Sequence, residues 1–288
     1  MKVLSERHQQ SILRVCEYIQ QHLDDELTAE QLSDIAACSR FHFHRVFMAF
    51  MGLSTTRYIQ LAKLRRASFR LAFEQHKIID IALEAGFSSS EAFTRAFKSS
   101  FVQTPSQFRN QPNWQHWHRV LQLPSIPREE MILKVKIVDF PATHIAYVQH
   151  CGAPQQVLDS AAKFIAWRKQ TGLSPIASSE TFGIPYSDPN TVAPEDFRMD
   201  ICGTIKASAI PDNEFGVIAG VIPGGRCAVA RHYGSHDTIG NTVYQLYREW
   251  LPDSGEELRD FPCFFHWINF IHEVDECELL TDIYLPIK

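Results

Sequence analysis

The chain has 288 residues, 45% hydrophobic and 21% charged, the makeup of ordinary soluble globular domains. No stretch approaches the roughly 18 apolar residues of a membrane span and no apolar signal segment opens the sequence, so a two-domain cytosolic protein without membrane contact is expected. Its net charge of −5 is uneven: residues 1–119 carry 15 Lys and Arg against 11 Asp and Glu, while residues 120–288 carry 13 against 22.

A basic first half is compatible with phosphate partners; an acidic second half repels them and attracts cations. The seven cysteines form no CxxC pair and read as reduced, mostly buried thiols. His232/His236 and Cys263/His266 are isolated pairs without a second pair at ligand spacing, so neither a metal nor another cofactor is expected.

In chain order, the pattern from His8 to Arg109 is helical almost throughout. "QPNWQHWHRVLQLPSIPREE" then breaks the period with three prolines, which cannot continue a helix interior. The boundaries read from this are a helical domain over 1–111, a linker over 112–130 whose two tryptophans pack somewhere, and a second domain over 131–288. Beyond Met131 the alternation of "ILKVKIVDF", "HIAYVQH", "RCAVARH" and "TDIYLPI" predicts strands.

The helical half repeats itself. "LTAEQLSDIAACSRFHFHRVFMAF" and "IIDIALEAGFSSSEAFTRAFKSSF" share a plan of short helix, tight turn and capped amphipathic helix. Phe43, Arg45 and Phe47 match Phe93, Arg95 and Phe97 at a spacing of 50. Thr28, Ser39 and either Ser88 or Ser89 are N-cap candidates, and Gly86 suits a turn with positive φ. This is the helix-turn-helix plan, twice over. Two linked copies could enter adjacent major-groove segments of double-stranded DNA. The longer helix between them would offer Arg57, Lys63, Arg65, Arg66 and Arg70 to phosphates.

Residues 8–110 resemble the DNA-binding domain of the AraC/XylS transcription regulators, most strongly through "IALEAGFSSSEAFTRAFKSSFVQTPSQFR". Ala37 and Val102 stand where glycine is frequent in that family. The resemblance implies DNA contacts from Phe41, His44 and Arg45 in the first reading helix, with His42 facing solvent or phosphate. In the second it implies Ser90, Glu91, Thr94 and Arg95, with Lys98 on a phosphate. It further implies transcription regulation, as an activator with RNA polymerase as partner.

The second half is duplicated as well. "AYVQHCG" and "AVARHYG" lie 82 residues apart, each precedes a helical segment, and "MDIC" and "TDIY" repeat the interval. Two strand–helix–strand–strand units about a pseudo-two-fold axis are expected, with a small-molecule groove between the two helices. "REWLPDSGEELRDFPCFFHWIN" and the closing "TDIYLPI" resemble the GyrI-like small-molecule-binding domains. The fold class is therefore an all-α tandem helix-turn-helix domain followed by an α+β domain of two repeats.

That second resemblance implies an acid in the effector pocket two positions before a tyrosine of the last strand, which is Asp282 before Tyr284. Candidate walls are Tyr147, Trp167, Phe182, Tyr186, Trp267 and Tyr284, a set suited to a cationic lipophilic effector. A further acidic position of the family is Phe265 here. His150, His232 and His266 are mostly structural. Alternatives of other classes are a protein-interaction module without ligand and a hydrolase of reactive small molecules using Asp282 and Tyr284. A non-enzyme is expected.

Overall fold

The computed structural model describes residues 2–121, 133–206 and 209–288. They form two compact units, one of Met1–Met131 with Ile271–Cys277, the other of Ile132–Phe270 with Glu278–Lys288. Among the described residues no helix is long and apolar enough to cross a membrane.

The first unit is helical: α1 Lys2–Gln21, α2 Ala29–Ile35, α3 Arg40–Met51, α4 Thr55–Phe73, α5 Ile78–Glu84, α6 Ser90–Phe101, α7 Pro105–Asn110 and α8 Trp114–Leu121. Helices α2–α3 and α5–α6 are the two helix-turn-helix copies. Phe43, Phe47 and Met51 of α3 are buried, as are Phe93, Phe97 and Phe101 of α6, so residues four apart form one stripe on each helix. The local starts follow from side-chain chemistry. Thr28 accepts from Gln31 N while Gln31 answers the Thr28 amide, and Ser89 accepts from Ala92 N. Ser39 holds the N-cap position of α3 without a side-chain cap bond.

The two family departures are conformational. Ala37 takes φ 52° where the second copy has Gly86 at 78°, and Val102 takes φ 61° where the first copy has Gly52 at 66°. Both non-glycine residues thus occupy the left-handed region that ends a short helix, at a steric cost glycine avoids.

The expected linker over 112–130 needs correction in its first half, while residues 122–130 lie outside the described residues. Trp114 and Trp117 place α8 inside the helical core, with both side chains almost wholly buried. Rings run from Phe97 to Phe108 (5.4 Å), Phe108 to Trp114 (5.1 Å) and Trp117 to Phe69 of α4 (5.1 Å). Burying such large apolar area outweighs the weak helix propensity of an eight-residue segment.

The second unit holds an eight-stranded antiparallel sheet in the order β1-β6-β8-β7-β3-β4-β2-β5. The strands are β1 Val135–Phe140, β2 Thr143–Cys151, β3 Thr181–Pro185, β4 Arg198–Thr204, β5 Ile218–Ile222, β6 Gly225–Tyr233, β7 Phe264–Trp267 and β8 Leu280–Pro286. Helix α9, Val157–Thr171, follows β2; α10, Ile239–Gln245, follows β6 and continues through one wide turn at Leu246–Trp250 into α11, Leu251–Ser254.

The duplication holds at the level of register. Ile145 pairs with Thr204 and Cys227 with Pro286, each partner displaced by 82 residues. Each repeat also has a leading strand, β1 as the alternation of "ILKVKIVDF" predicts and β5 beyond that prediction: β1 pairs with β6 and β5 with β2, so the leading strands are exchanged between repeats. Strands β3, β5 and β7 escaped the alternation test because they are short. Strand β3 is in addition buried on both faces, which erases the polar half of the pattern.

One sheet face packs on the helices, through Ala146, Val148 and Ile201 with Phe164 and Trp167 of α9, and through Ala228, Ala230 and Ile283 with Ile239 and Leu246. The other face carries a second apolar cluster of Phe140, Ile145, Phe182, Ile184, Cys202 and Phe264, with Tyr147 and Tyr284 packed against it. We call it the aromatic face. Replacing Val102 by glycine relieves the left-handed strain at the end of α6 and is expected to stabilise the helical unit by about 1 kcal/mol in a denaturant titration.

Candidate functional site

The nucleic-acid candidates sit on the outward stripes of α3 and α6. Phe41, His42, His44, Arg45, Glu91, Arg95 and Lys98 are exposed, whereas Ser90 and Thr94 are half-buried. Phe41 is 88% exposed, an unusual position for a phenylalanine at the start of a helix and consistent with apolar contact outside the chain. Arg45 and Arg95 hold equivalent positions of the two copies, one residue before half-buried Val46 and Ala96.

Glu91 lies in the first turn of α6, where the Ser90 hydroxyl donates to its Oε1 at 3.4 Å. Its own backbone amide, the Ser89 and Ser90 hydroxyls and Arg95 four residues on hold the carboxyl below its usual range. The Glu91 carboxylate is thereby oriented at the helix start together with Arg95.

The basic residues of α4 do not form the expected phosphate stripe. Arg65 is buried and donates to both oxygens of Glu276 at 2.7 Å, and its guanidinium lies 4.8 Å from the Trp117 ring centre. Arg66 binds Asp24 and, at 3.2 Å, Asp275. Arg70 pairs with Glu84, and Arg57 donates to Gln60 and to Ser100 of α6. These arginines are struts inside the helical unit, because the acids that meet them come from distant positions. Lys63 reaches over the second helix-turn-helix turn, its Nζ 3.0 Å from where a Gly86 Cβ would stand.

In the second unit the expected effector residues divide between the two sheet faces. Asp282, Tyr284, Tyr147 and Phe182 share the aromatic face by strand alternation and register. Tyr284 stacks on Phe264 with ring centres 4.9 Å apart, and Phe182 meets His266 at 4.7 Å. Burial pushes Tyr284 above and His266 below their ordinary pKa values, which keeps both neutral near pH 7. Tyr186, 44% exposed, lies beyond the end of β3 with the Arg198 guanidinium 4.1 Å from its ring centre. Burial pushes its hydroxyl up to about 12.

Trp167 and Trp267 are on the other face, so neither forms a wall with Asp282. Trp167 is wholly buried between α9 and the sheet. It also backs a surface cavity of about 320 Å³ with Leu173, Ile210 and Phe215. Trp267 packs on the same cluster, and Phe265 belongs to the cluster under α10. His150 and His232 are also on the helix side, tied in matching fashion to Ser160 (2.9 Å) and Thr242 (2.8 Å).

Asp282 itself is ion-paired. Arg231 on β6 donates Nε and Nη2 to its two oxygens at 2.7 and 2.8 Å. The sequence reading missed this partner, and it missed Asp200, which the 82-residue offset places at the equivalent point of the first repeat. Asp200 is 2% exposed, and burial raises its carboxyl despite the Tyr186 hydroxyl, Arg198 and the Gln149 amide. The "MDIC" and "TDIY" pair already carried this signal.

A tandem helix-turn-helix unit joined to a duplicated α+β unit defines a regulator-like architecture, with one part shaped for nucleic acid and the other for a small guest. Residues 133–288 match the GyrI-like small molecule binding domain and residues 32–111 match a helix-turn-helix domain. The chain is 49% identical over 157 residues to "Probable transcriptional regulator YgiV" of Escherichia coli K12, covering 54% of this chain and 98% of that protein. It is 36% identical over 102 residues to "Uncharacterized HTH-type transcriptional regulator YbfP" of Bacillus subtilis, covering 35% of each. To the "Right origin-binding protein" of Escherichia coli K12 it is 35% identical over 97 residues, 34% of each. The chain belongs to the GyrI-like small molecule binding domain family and carries an AraC-type helix-turn-helix domain ahead of it.

The strut assignment has a measurable consequence. Arg65→Ala is expected to lower stability by about 1.5–3 kcal/mol through the lost charged hydrogen bonds, with an unchanged salt slope of DNA binding. Lys98→Ala is expected to leave stability alone and reduce that slope by about 1.

Proposed function

We propose that this chain is a sequence-specific transcription regulator that inserts α3 and α6 into adjacent major-groove segments and answers to an effector bound by its GyrI-like domain. The observation that carries the reading is the repeat at a spacing of 50, in which buried Phe43 and Phe47 recur as Phe93 and Phe97 and exposed Arg45 recurs as Arg95. The phenylalanines serve the core, but packing gives no reason to repeat an exposed arginine. An arginine at such a position can donate two hydrogen bonds to guanine O6 and N7.

Phe41 and His44, with Ser90, Glu91 and Thr94, complete the proposed reading set, with Lys98 on a phosphate. Glu91, oriented at the helix start, is suited to accept from a cytosine amino group. The names of the relatives support regulation as the role. Activation, with RNA polymerase as the contacted partner, is part of the proposal.

For the second unit, the paired state of Asp282 supports binding over catalysis. Both of its oxygens accept from Arg231, and Tyr284 is held neutral by burial, so the two offer no free general base. A ligand regulates the chain only through different affinities for its DNA-binding and non-binding states.

Arg45→Ala and Arg95→Ala are each expected to weaken binding to the selected site by about 1–3 kcal/mol and to relax specificity over one half of it. Fluorescence anisotropy on site variants reads both effects. Affinity within twofold of the parent for both variants would sink the two-helix reading.

A further inference from the structure

The sheet ends in two edge strands of opposite chemistry, β1 and β5. An edge strand offers its outward N–H and C=O groups to any strand that reaches them, and charged side chains are a common protection. Strand β1 has that protection, with Lys136 and Asp139 both exposed. Strand β5 lacks it. The stretch "GVIAGVIP", residues 216–223, carries no charge and leaves Ile218 52% and Val221 48% exposed.

Register shows which backbone groups of β5 are open. Ile205 N donates to His144 O at 3.0 Å, so the even-numbered residues of β2 bond β4 and the odd-numbered ones bond β5. Ile218, Gly220 and Ile222 lie opposite Tyr147, Ile145 and Thr143 and therefore turn their backbone groups to β2. Ala219 and Val221 turn theirs outward, and no strand pairs with them there among the described residues. The open stretch is closed at both ends. The Asn213 side chain takes both groups of Val217, donating to its carbonyl at 2.7 Å and accepting from its amide at 3.1 Å. At the other end Pro223 has no N–H to offer.

We propose that β5 is a dimerisation edge and that its occupant is β5 of a second copy, antiparallel about a two-fold axis through Gly220. The proposal is independent of the effector reading. A two-fold contact requires a surface that complements itself, and this register does so. Ala219 of each copy faces Val221 of the other, so every open N–H and C=O on both edges finds a partner. The next bonded pair would set Val217, already taken by Asn213, against Pro223, so the ladder stops where its groups run out. A strand of another protein would meet the same groups, but only a second copy is matched at both ends. Gly220 stands on the axis, where two identical side chains would otherwise confront each other. A Cβ there would also stand 2.8 Å from Tyr147 Cε1, so the same glycine lets that ring lie over β5. The flanking side chains agree with this pairing. Ile218 comes opposite Ile222 of the second copy on the aromatic face, and Val221 opposite Ala219 on the helix face, so no charge is desolvated.

The test is sedimentation velocity of the full chain across a dilution series, with hydrogen exchange read over residues 216–223. Wild type is expected to move from the 33.0 kDa monomer to twice that mass as concentration rises, with the Ala219 and Val221 amides gaining protection in step. Val221→Lys is expected to weaken the dimer by about tenfold or more, because it sets a lysine of each copy against the apolar contact. Ala219→Pro removes an outward donor at an edge position that tolerates proline, and should weaken the dimer likewise. Ile137→Lys, at a comparably exposed place on β1, should leave the dimer intact. A chain that stays monomeric throughout overturns the proposal and leaves the edge to a strand of another protein. A dimer indifferent to both β5 variants, one abolished by Ile137→Lys, or one without protection at residues 219 and 221 overturns the assignment to β5. Mass growing beyond two chains overturns the closed pair in favour of open-ended association.

Discussion

Strand β1 forms its backbone hydrogen bonds with β6, and β5 forms its own with β2, so each repeat of the second unit is completed by a strand from the other. Without that exchange β2 and β6 would be the edges of a six-stranded sheet, with open donors and acceptors. The pairing of β3 with β7 runs one sheet through both copies, and its two faces take different work. The helix face is closed by α9 and α10, while the aromatic face keeps polar groups among its rings. At the centre, Gly183 of β3 pairs with Phe265 of β7, residues that are themselves 82 apart. A Cβ at Gly183 would stand 2.5 Å from Met199 Cε and 2.6 Å from the Trp267 ring, so the pseudo-symmetry is broken where two equal side chains would not fit.

The helical unit solves a related problem with side chains instead of backbone pairing. Its two copies each present a phenylalanine stripe inward, and arginines of α4 tie that helix to α5, to α6 and to the segment after α1. Arg57 reaches Ser100 of α6, and Arg66 reaches Asp24 beyond α1. Partly buried ion pairs of this kind add little net stability, but removing one partner is costly, so they fix geometry more than they drive folding. Arg45, Arg95 and Lys98, on the outward stripes of α3 and α6, are exposed and stand outside this network. The division between bonded and exposed arginines thus follows the division between α4 and the amphipathic helices α3 and α6.

Much of this could be read without coordinates. The stripes at Phe43/Phe47 and Phe93/Phe97 and the caps at Thr28 and Ser89 depend on residues within a turn of each other, so spacing alone exposes them. Trp114 and Trp117 were harder. Prolines nearby argued for a linker, and only the cleft lined by Phe69 and Phe108 explains why the segment folds back as a helix. Strand β5 and the exchange of the leading strands were invisible for another reason. Partner choice among strands depends on edges that exist only once the rest of the sheet has formed.

The acids show where the boundary lies. Composition, periodicity and the offsets of 50 and 82 were enough for the two domains, their internal duplications, the exposed stripes of α3 and α6 and the presence of an acid before Tyr284. These are local or repeated patterns, and repetition makes them legible. Which side of the sheet Trp167 and Trp267 occupy, which arginines of α4 are spent on Asp24, Asp275 and Glu276, and which partner each of the two acids takes were settled by folding alone. Each depends on a side chain supplied from a distant strand or loop, and an electrostatic field at a carboxylate is set by what lies within a few ångströms in space, whatever its distance along the chain.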